Sequence, residues 1–361
     1  MTCQRFARAL ALHSIPPAVG SRGLKARATS RPGPRRITFL TNPDDCNLAC
    51  PMCREHSPLA TGRDKPRRLT IDFVASVLGE RADSPLEEVI PSTMGEPLLW
   101  PGIDRLAELC SERNLLLNVT TNGTFPDRGA TSWAKLLAPI ASDVKVSWNA
   151  ASAATAARVA PGLDFARAIE AVRDFVGVRD ELRARGQRAC RVSFQVTAQE
   201  ANVAELPRIV ELAAQLGIER VKVNQLQVHF SALMEQDLRR HPAARERWNE
   251  AVGAMCAAAQ THPLPSGRTL LLENAEPWRE GAPPARGPCP FLDREAWVLG
   301  DGRFAPCPAP AGQDGKLGVF GSLAEHGMGE IWLSHEYRAL VRGYLAHATC
   351  SNCALRRAGG R

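Results

Sequence analysis

Short β-prone runs alternate with helical patterns along most of the chain. The runs are ITFLT (37–41), EVIPS (88–92), LLLNVTTN (115–122), DVKVSWN (143–149), RVSFQVT (191–197) and RVKVNQL (220–226). Between them TIDFVASVLGE, GIDRLAELCSER, FARAIEAVRDFVGVRDELRA and VAELPRIVELAAQLG carry apolar residues three and four apart, the spacing of a helix with one face packed on a sheet. The third is long and contains Gly177, so the pattern does not fix its ends. Six strands alternating with helices predict an α/β fold whose parallel sheet has right-handed crossovers, doubly wound or rolled into a partial barrel. Further on, a hairpin-like stretch turns at GDG (300–302) and a helical pattern covers GEIWLSHEYRALVRGYLAH.

In such folds ligands bind at the carboxyl ends of the strands. Four unusual groups fall there: Cys46, Cys50 and Cys53 after the first run, TMGEPLL after the second, TTNGT at the end of the third and SWN at the end of the fourth. Singly, each has an ordinary reading. Gly95 and Pro97 are common turn residues, Asn122-Gly123 is a turn signal, and a strand Ser147 is usually a satisfied hydroxyl. Their coincidence at one set of strand ends points to a site.

Charge changes the picture little once it is located. Of the 45 basic residues eight lie in 1–36, which has no acid, leaving 37 against 38 acidic residues in the rest of the 361. The near-neutral remainder gives no electrostatic case for a nucleic-acid partner. The Pro- and Arg-rich stretch reads as a disordered basic tail, with an organelle transit peptide as the alternative. No apolar run reaches the roughly 18 residues of a membrane span, and no signal-peptide core is visible, so the expected compartment is the cytoplasm.

The eleven cysteines are uneven. In a reducing compartment clustered thiols hold metal more often than they form disulfides. Three cluster early; Cys289, Cys307, Cys350 and Cys353 cluster late, suggesting one metal site near each end. Three thiolates can hold three irons of a cubane and leave the fourth open to a small molecule bearing an amine and a carboxylate. Zinc recruiting His56 is the competing reading at the first group, and tetrahedral zinc at the second. Cys110, Cys190 and Cys256 are expected as buried apolar groups, Cys3 belongs to the tail, and Trp248, Trp278, Trp297 and Trp332 are expected to pack. His229 and Phe230, after the sixth run, either face a substrate or lie on a loop surface.

With CNLACPMC at 46–53, the chain resembles the radical S-adenosylmethionine enzymes, whose signature is three cysteines with gaps of three and two. The resemblance implies a partial (β/α)6 TIM-like barrel with the cluster on the loop after the first strand. MGEP (94–97) looks like the family's glycine-glutamate-proline segment, with Met94 replacing the first glycine of the common pair. By resemblance, S-adenosylmethionine contacts fall to Met52, Gly95, Glu96, Pro97, Ser147, Asn149, Arg158 and Gln195. Cys46, Cys50 and Cys53 would hold an open-site [4Fe-4S] cluster fed by a flavodoxin- or ferredoxin-type electron donor. S-adenosylmethionine would be cleaved to a 5′-deoxyadenosyl radical that abstracts a hydrogen atom from substrate. The late cysteines, with their turn and Trp-containing helix, resemble a C-terminal SPASM/twitch domain of α+β type, implying one auxiliary [4Fe-4S] cluster on Cys289, Cys307, Cys350 and Cys353.

The resulting organisation is a tail (1–36), a barrel (37–228), a helical and Pro/Gly-rich connector (229–288) and an auxiliary-cluster domain (289–361). Two reactions suit it: oxidation or rearrangement of a small alcohol, sugar or cyclitol, which is the first expectation, and modification of a ribosomally made peptide or protein side chain. A non-enzymatic iron–sulfur or zinc redox scaffold is the third reading. No residue in the sequence names a catalytic base.

Overall fold

The computed structural model describes residues 32–61, 67–79, 84–92, 94–280, 287–353 and 355–356. The tail, with Cys3, lies outside them except for 32–36, and so does the Pro-rich passage 281–286 of the connector.

All six expected strands form: β1 (Arg36–Phe39), β2 (Glu88–Pro91), β3 (Leu116–Thr121), β4 (Ala141–Ser147), β5 (Arg191–Ala198) and β6 (Arg220–Gln225), joined by β7 (Leu271–Glu273), β8 (Glu295–Val298) and β9 (Phe304–Ala305). The helices in chain order are α1 (Ile71–Gly79), α2 (Ile103–Glu112), α3 (Gly129–Leu137), α4 (Ala153–Val159), α5 (Phe165–Ala184), α6 (Leu206–Gln215) and α7 (Pro242–Thr261). Then come α8 (Pro310–Gln313), α9 (Met328–Leu333), α10 (His335–Gly343) and α11 (Ala348–Ser351). The long third pattern is one helix, α5. Gly177 does not break it, because it faces open space while Ala168, Val172, Phe175 and Val176 hold the buried face.

Contacts divide the chain into two compact units, with the boundary inside β3. The first contains Cys46–Asp64 and Val119–Trp278. In it β4, β5, β6 and β7 pair in parallel, and the register sets Ser147 beside Gln195 and Gln195 beside Lys222. Alternation puts Val144, Val146, Val192, Phe194, Val221 and Val223 on the opposite face, all buried.

The second unit contains Lys25–Asp45, Lys65–Asn118 and Arg279–Arg361. Here β2, β1 and β8 run parallel, and β9 returns antiparallel through the GDG turn, where Gly302 has φ +84°. The hairpin was expected; its parallel docking on β1 was not. Charge explains the docking: Arg36 pairs with Glu88 on β2 and with Glu295 on β8, the latter at 2.7 Å. Burial raises the Glu295 carboxyl above its ordinary range in spite of Arg36, with Glu88 adding to the rise. An arginine between two carboxylates from different strands fixes which strands can be neighbours, because a slipped register would bury a carboxylate without its cation.

Two packing expectations need correction. Trp248, Trp297 and Trp332 are buried, but Trp278 is 39% exposed with Arg245 over its ring at 4.9 Å. Its flat face is covered by a cation, not by the core. Cys110 and Cys190 are buried, and burial pushes both thiols up to about 12. Cys256 is only half-buried, because it falls between the buried positions Val252, Met255 and Ala259 of α7.

Candidate active site

The first-unit part of the site is built on the loop that carries Cys46, Cys50 and Cys53. Leu48, in the three-residue gap, is buried with Ala150, Ala156, Val159 and Ala160, and Cys46, Cys50 and Met52 pack against the same group. The gap thus has a job beyond spacing: one apolar residue pins the loop to α4 and keeps the half-buried thiols of Cys46 and Cys50 beside it. The Cys53 N–H donates to the Cys50 carbonyl at 3.0 Å, and the His56 N–H donates to the Cys53 Sγ at 3.3 Å. That contact uses the His56 backbone. Burial, with Cys53 and Cys46 adding, pushes the Cys50 thiol up to about 12. The sulfurs therefore sense one another, and a metal must displace protons to bind.

Beside this loop is a small cleft lined by Leu48, Cys50, Asn122, Ser147, Asn149 and Phe165 among others. Its polar groups converge from the ends of β3 and β4 and from the cysteine loop, and the rest of its wall is apolar, the usual composition of a small-molecule site. Asn149 is held: its Oδ1 accepts from the Thr197 N–H at 2.7 Å and its carbonyl from the Asn202 Nδ2 at 2.9 Å. Below the cleft Glu205 accepts from the Ala151 N–H at 2.7 Å and from the Ser152 hydroxyl at 2.5 Å. Burial alone would raise the Glu205 carboxyl, but these bonds and one from Thr155 outweigh it and hold it low. Asn202 and Glu205 were missed in the sequence, since each acts on a partner about fifty residues away.

The structure brings Ser147, Asn149 and Cys50 to the cleft and seats Met52 in the packing beside it. It does not bring Arg158 there: that side chain is exposed and donates to Thr155 Oγ1 at 3.0 Å and to the Ala201 carbonyl at 3.1 Å. Gln195 pairs in register with Ser147, and its Oε1 is buried without a protein partner, as is the Trp148 Nε1. Buried polar atoms of this kind are left for a ligand or water to satisfy. His229 is half-buried, and its imidazole is lowered by burial and by Arg54.

In the second unit, Gly95, Glu96 and Pro97 follow β2. Gly95 has φ +76°, and a Cβ there would stand 2.3 Å from the Asn42 carbonyl oxygen and 2.7 Å from that of Asp45. The Glu96 N–H donates to the Asp45 carbonyl at 2.7 Å, and Asn42 Nδ2 donates to the Glu96 carbonyl at 2.9 Å. Fully buried Glu96 accepts the Leu98 N–H at 3.1 Å and so caps the 3-10 turn Pro97–Leu99. The segment is clamped on the turn Asn42–Asp45, directly before Cys46 in the chain. Met94 packs against Leu40, Trp297, Leu299 and Ala305, which accounts for a large side chain where the family pattern has glycine.

The late cysteines gather within the second unit. Cys307 and Cys350 are buried with Leu317, and Arg356 ties the two ends together, donating to the Gly287 carbonyl at 2.8 Å and to the Cys350 carbonyl at 3.0 Å. Burial pushes Cys307 up to about 12; the Ala309 N–H opposes the rise, and Cys289, Cys350 and Cys353 add to it. All four sulfurs thus lie within interaction range. Among the described residues no three Cys, His, Asp or Glu side chains share a position for one metal ion. A cubane takes one thiolate per iron, and Cys289, Cys307, Cys350 and Cys353 supply four. A Cβ on Gly312 would lie 2.7 Å from the Cys307 Sγ. Gly312→Ala is expected to cost about half the iron bound by reconstituted protein, counted per chain by colorimetry, with the cleft's own function spared.

Comparison with known proteins sharpens this. The model of the radical SAM superfamily matches residues 43–179, and that of an iron–sulfur cluster-binding domain, SPASM, matches 289–354. No curated protein matches the chain by sequence. Among solved structures, SuiB of Streptococcus suis is similar at 16% identity over 90% of this chain and 71% of that one, with a TM-score of 0.61. SuiB bound to its precursor peptide SuiA gives 16% identity, 90% and 70% coverage and a TM-score of 0.59. The structure of native anSMEcpe with bound AdoMet gives 14%, 85% and 83%, and 0.59. At these identities the likeness is one of fold, a parallel α/β sheet of the open, partial-barrel kind followed by a cluster-binding domain.

Proposed function

Because this chain belongs to the radical S-adenosylmethionine superfamily and carries a SPASM iron–sulfur domain, we propose that it abstracts hydrogen from a peptide or protein side chain. The observation that carries the reaction class is the three-thiol loop pinned by Leu48 beside a cleft with unsatisfied polar atoms. Cys46, Cys50 and Cys53 would hold the cluster with the open iron, and Ser147 and Asn149 would hold the nucleoside of S-adenosylmethionine. Gly95, Glu96 and Pro97 shape a backbone turn for its methionyl end, with Met52 and Gln195 as flanking contacts. When bound, the cluster and S-adenosylmethionine supply an electron and a carbon radical able to remove a hydrogen atom.

Within the protein, the apolar wall of the cleft keeps water from the nucleoside, and Asn202 and Glu205 orient the groups that line it. Arg158 acts from outside the cleft by tying α4 to Ala201. Cys289, Cys307, Cys350 and Cys353 would hold one auxiliary [4Fe-4S] cluster, a group able to take up the electron that an oxidative outcome leaves over. A flavodoxin- or ferredoxin-type donor would supply the first electron. The fold shared with SuiB, which was solved with a precursor peptide bound, supports the peptide class over the small alcohol expected first from the sequence.

The test is anaerobic reconstitution followed by reduction with S-adenosylmethionine. The expected result is about eight irons per chain, release of 5′-deoxyadenosine, and a mass change in a peptide encoded beside the gene. Zinc in place of iron, or no cleavage, would sink the reaction class. Turnover of a sugar or cyclitol without any peptide would overturn the substrate class and restore the small-molecule reading.

A further inference from the structure

The turn TTNGT, at the end of β3, has a role that S-adenosylmethionine binding does not use up. Asn122 Oδ1 accepts from the Thr124 N–H at 3.0 Å. A backbone N–H can only donate, so the carboxamide must present its oxygen to Thr124 and its Nδ2 to the other side. On that side Nδ2 lies 3.7 Å from the Cys46 Sγ and 2.7 Å from the Asn47 Oδ1. The orientation is reinforced by a closed ring. Asn47 Nδ2 donates to the Thr124 Oγ1 at 3.0 Å, and the Thr124 hydroxyl donates to the Asn122 Oδ1 at 2.7 Å. Each amide in the ring has one donor and one acceptor used, in a single consistent sense. Gly123, at φ +81°, lets the chain reverse close to Val146, where a Cβ would stand 2.8 Å from the Val146 Cγ1.

We infer that Asn122 is a tuning residue that donates a hydrogen bond to the Cys46 thiolate and raises the reduction potential of the cluster this thiolate holds. The inference rests on the proposed ligation by Cys46. Reduction adds negative charge that the ligand sulfurs share, and an N–H aimed at one of them stabilises the reduced state more than the oxidised one. The sulfurs of Cys53 and Cys289 receive backbone N–H groups, from His56 at 3.3 Å and Leu292 at 3.4 Å, which every residue but proline would supply. At Cys46 the donor is a side chain, so sequence can set it.

The experiment is a potentiometric titration, followed by electron paramagnetic resonance, of the full chain with both clusters reconstituted and no S-adenosylmethionine present. The signal followed is the one that later addition of S-adenosylmethionine perturbs. For Asn122→Ala the reduced-to-oxidised ratio at fixed potential should fall about tenfold, a shift of about 59 mV for a one-electron couple. Asn122→Asp, which keeps the shape and the acceptor for Thr124 but turns a carboxylate toward the sulfur, should fall at least as far. Parental potentials in both variants with full iron would overturn the inference, even if S-adenosylmethionine then bound more weakly. Loss of the perturbable signal from both, with the auxiliary cluster intact, would also overturn it, by assigning Asn122 to cluster assembly. Failure of the underlying reading looks different: the parent would show no perturbable signal, or Cys46→Ser would keep it.

Discussion

Replacing Cys46, Cys50 and Cys53 together with alanine is expected to abolish S-adenosylmethionine cleavage and leave about four of about eight irons bound. The prediction follows from where the two sets of thiols sit. The early three belong to a loop in the first unit, held by Leu48 and Met52 against α4, and the late four belong to the second unit, tied by Arg356 and the packing around Leu317. No residue is common to both groups, so neither set needs the other for its local fold. Alanine in the loop removes three sulfurs but keeps Leu48, and the helix it packs on should hold its place. The measurements are iron per chain and 5′-deoxyadenosine formed under reducing conditions. Loss of all iron would show that the two groups assemble as one, and retained cleavage would place the reactive cluster on the late cysteines.

Much of the scaffold was legible because its signals are local. Period-two runs with valine and phenylalanine marked β4, β5 and β6, and helix α5 was visible from its apolar face in spite of Gly177. Helix α3 was not marked, although Ala130, Trp133, Ala134 and Leu137 are all buried. It opens on Gly129 at positive φ, directly after a turn that holds Phe125 and Asp127 at positive φ, so its start carries turn residues and no helix signal. The parallel docking of β8 on β1 was hidden for a different reason: Arg36 and Glu295 are 259 positions apart, and nothing near either residue announces the other.

The site shows the same division. Thiol spacing singled out the candidate donors, since three sulfurs within eight residues have few other uses. The residues that orient the site were out of reach, because Asn42, Asn202, Glu205 and the ring of Asn47, Asn122 and Thr124 all work through partners distant in the chain. Arg158 differs in another way: its position in the pattern suggested a ligand contact, and the structure adds that its guanidinium donates to Thr155 and to the Ala201 carbonyl, partners the pattern does not announce.

Gly95→Ala is expected to weaken S-adenosylmethionine binding more than any other single methyl group added to the site. Two costs combine. The left-handed conformation at φ +76° costs an alanine about 1–2 kcal/mol, which glycine does not incur. The added Cβ would also meet the Asn42 carbonyl oxygen at 2.3 Å and the Asp45 carbonyl oxygen at 2.7 Å. Both contacts are with backbone, so no side chain can rotate away. The turn Asn42–Asp45 must move, and with it the 2.7 Å bond from the Glu96 N–H to Asp45 and the chain entering Cys46. A shift there disturbs the segment proposed to receive the methionyl end and the first cluster ligand together. Binding should fall by more than about tenfold, a loss of about 1.4 kcal/mol, with a lower melting temperature as a second sign of the strain. Isothermal titration of the reconstituted protein with S-adenosylmethionine measures the first and calorimetric melting the second. Gly177, which faces open space on α5, provides the control: Gly177→Ala adds the same methyl group where it meets nothing and should leave affinity unchanged. An alanine at 95 that bound S-adenosylmethionine like the parent would mean that the segment after β2 has no part in the site.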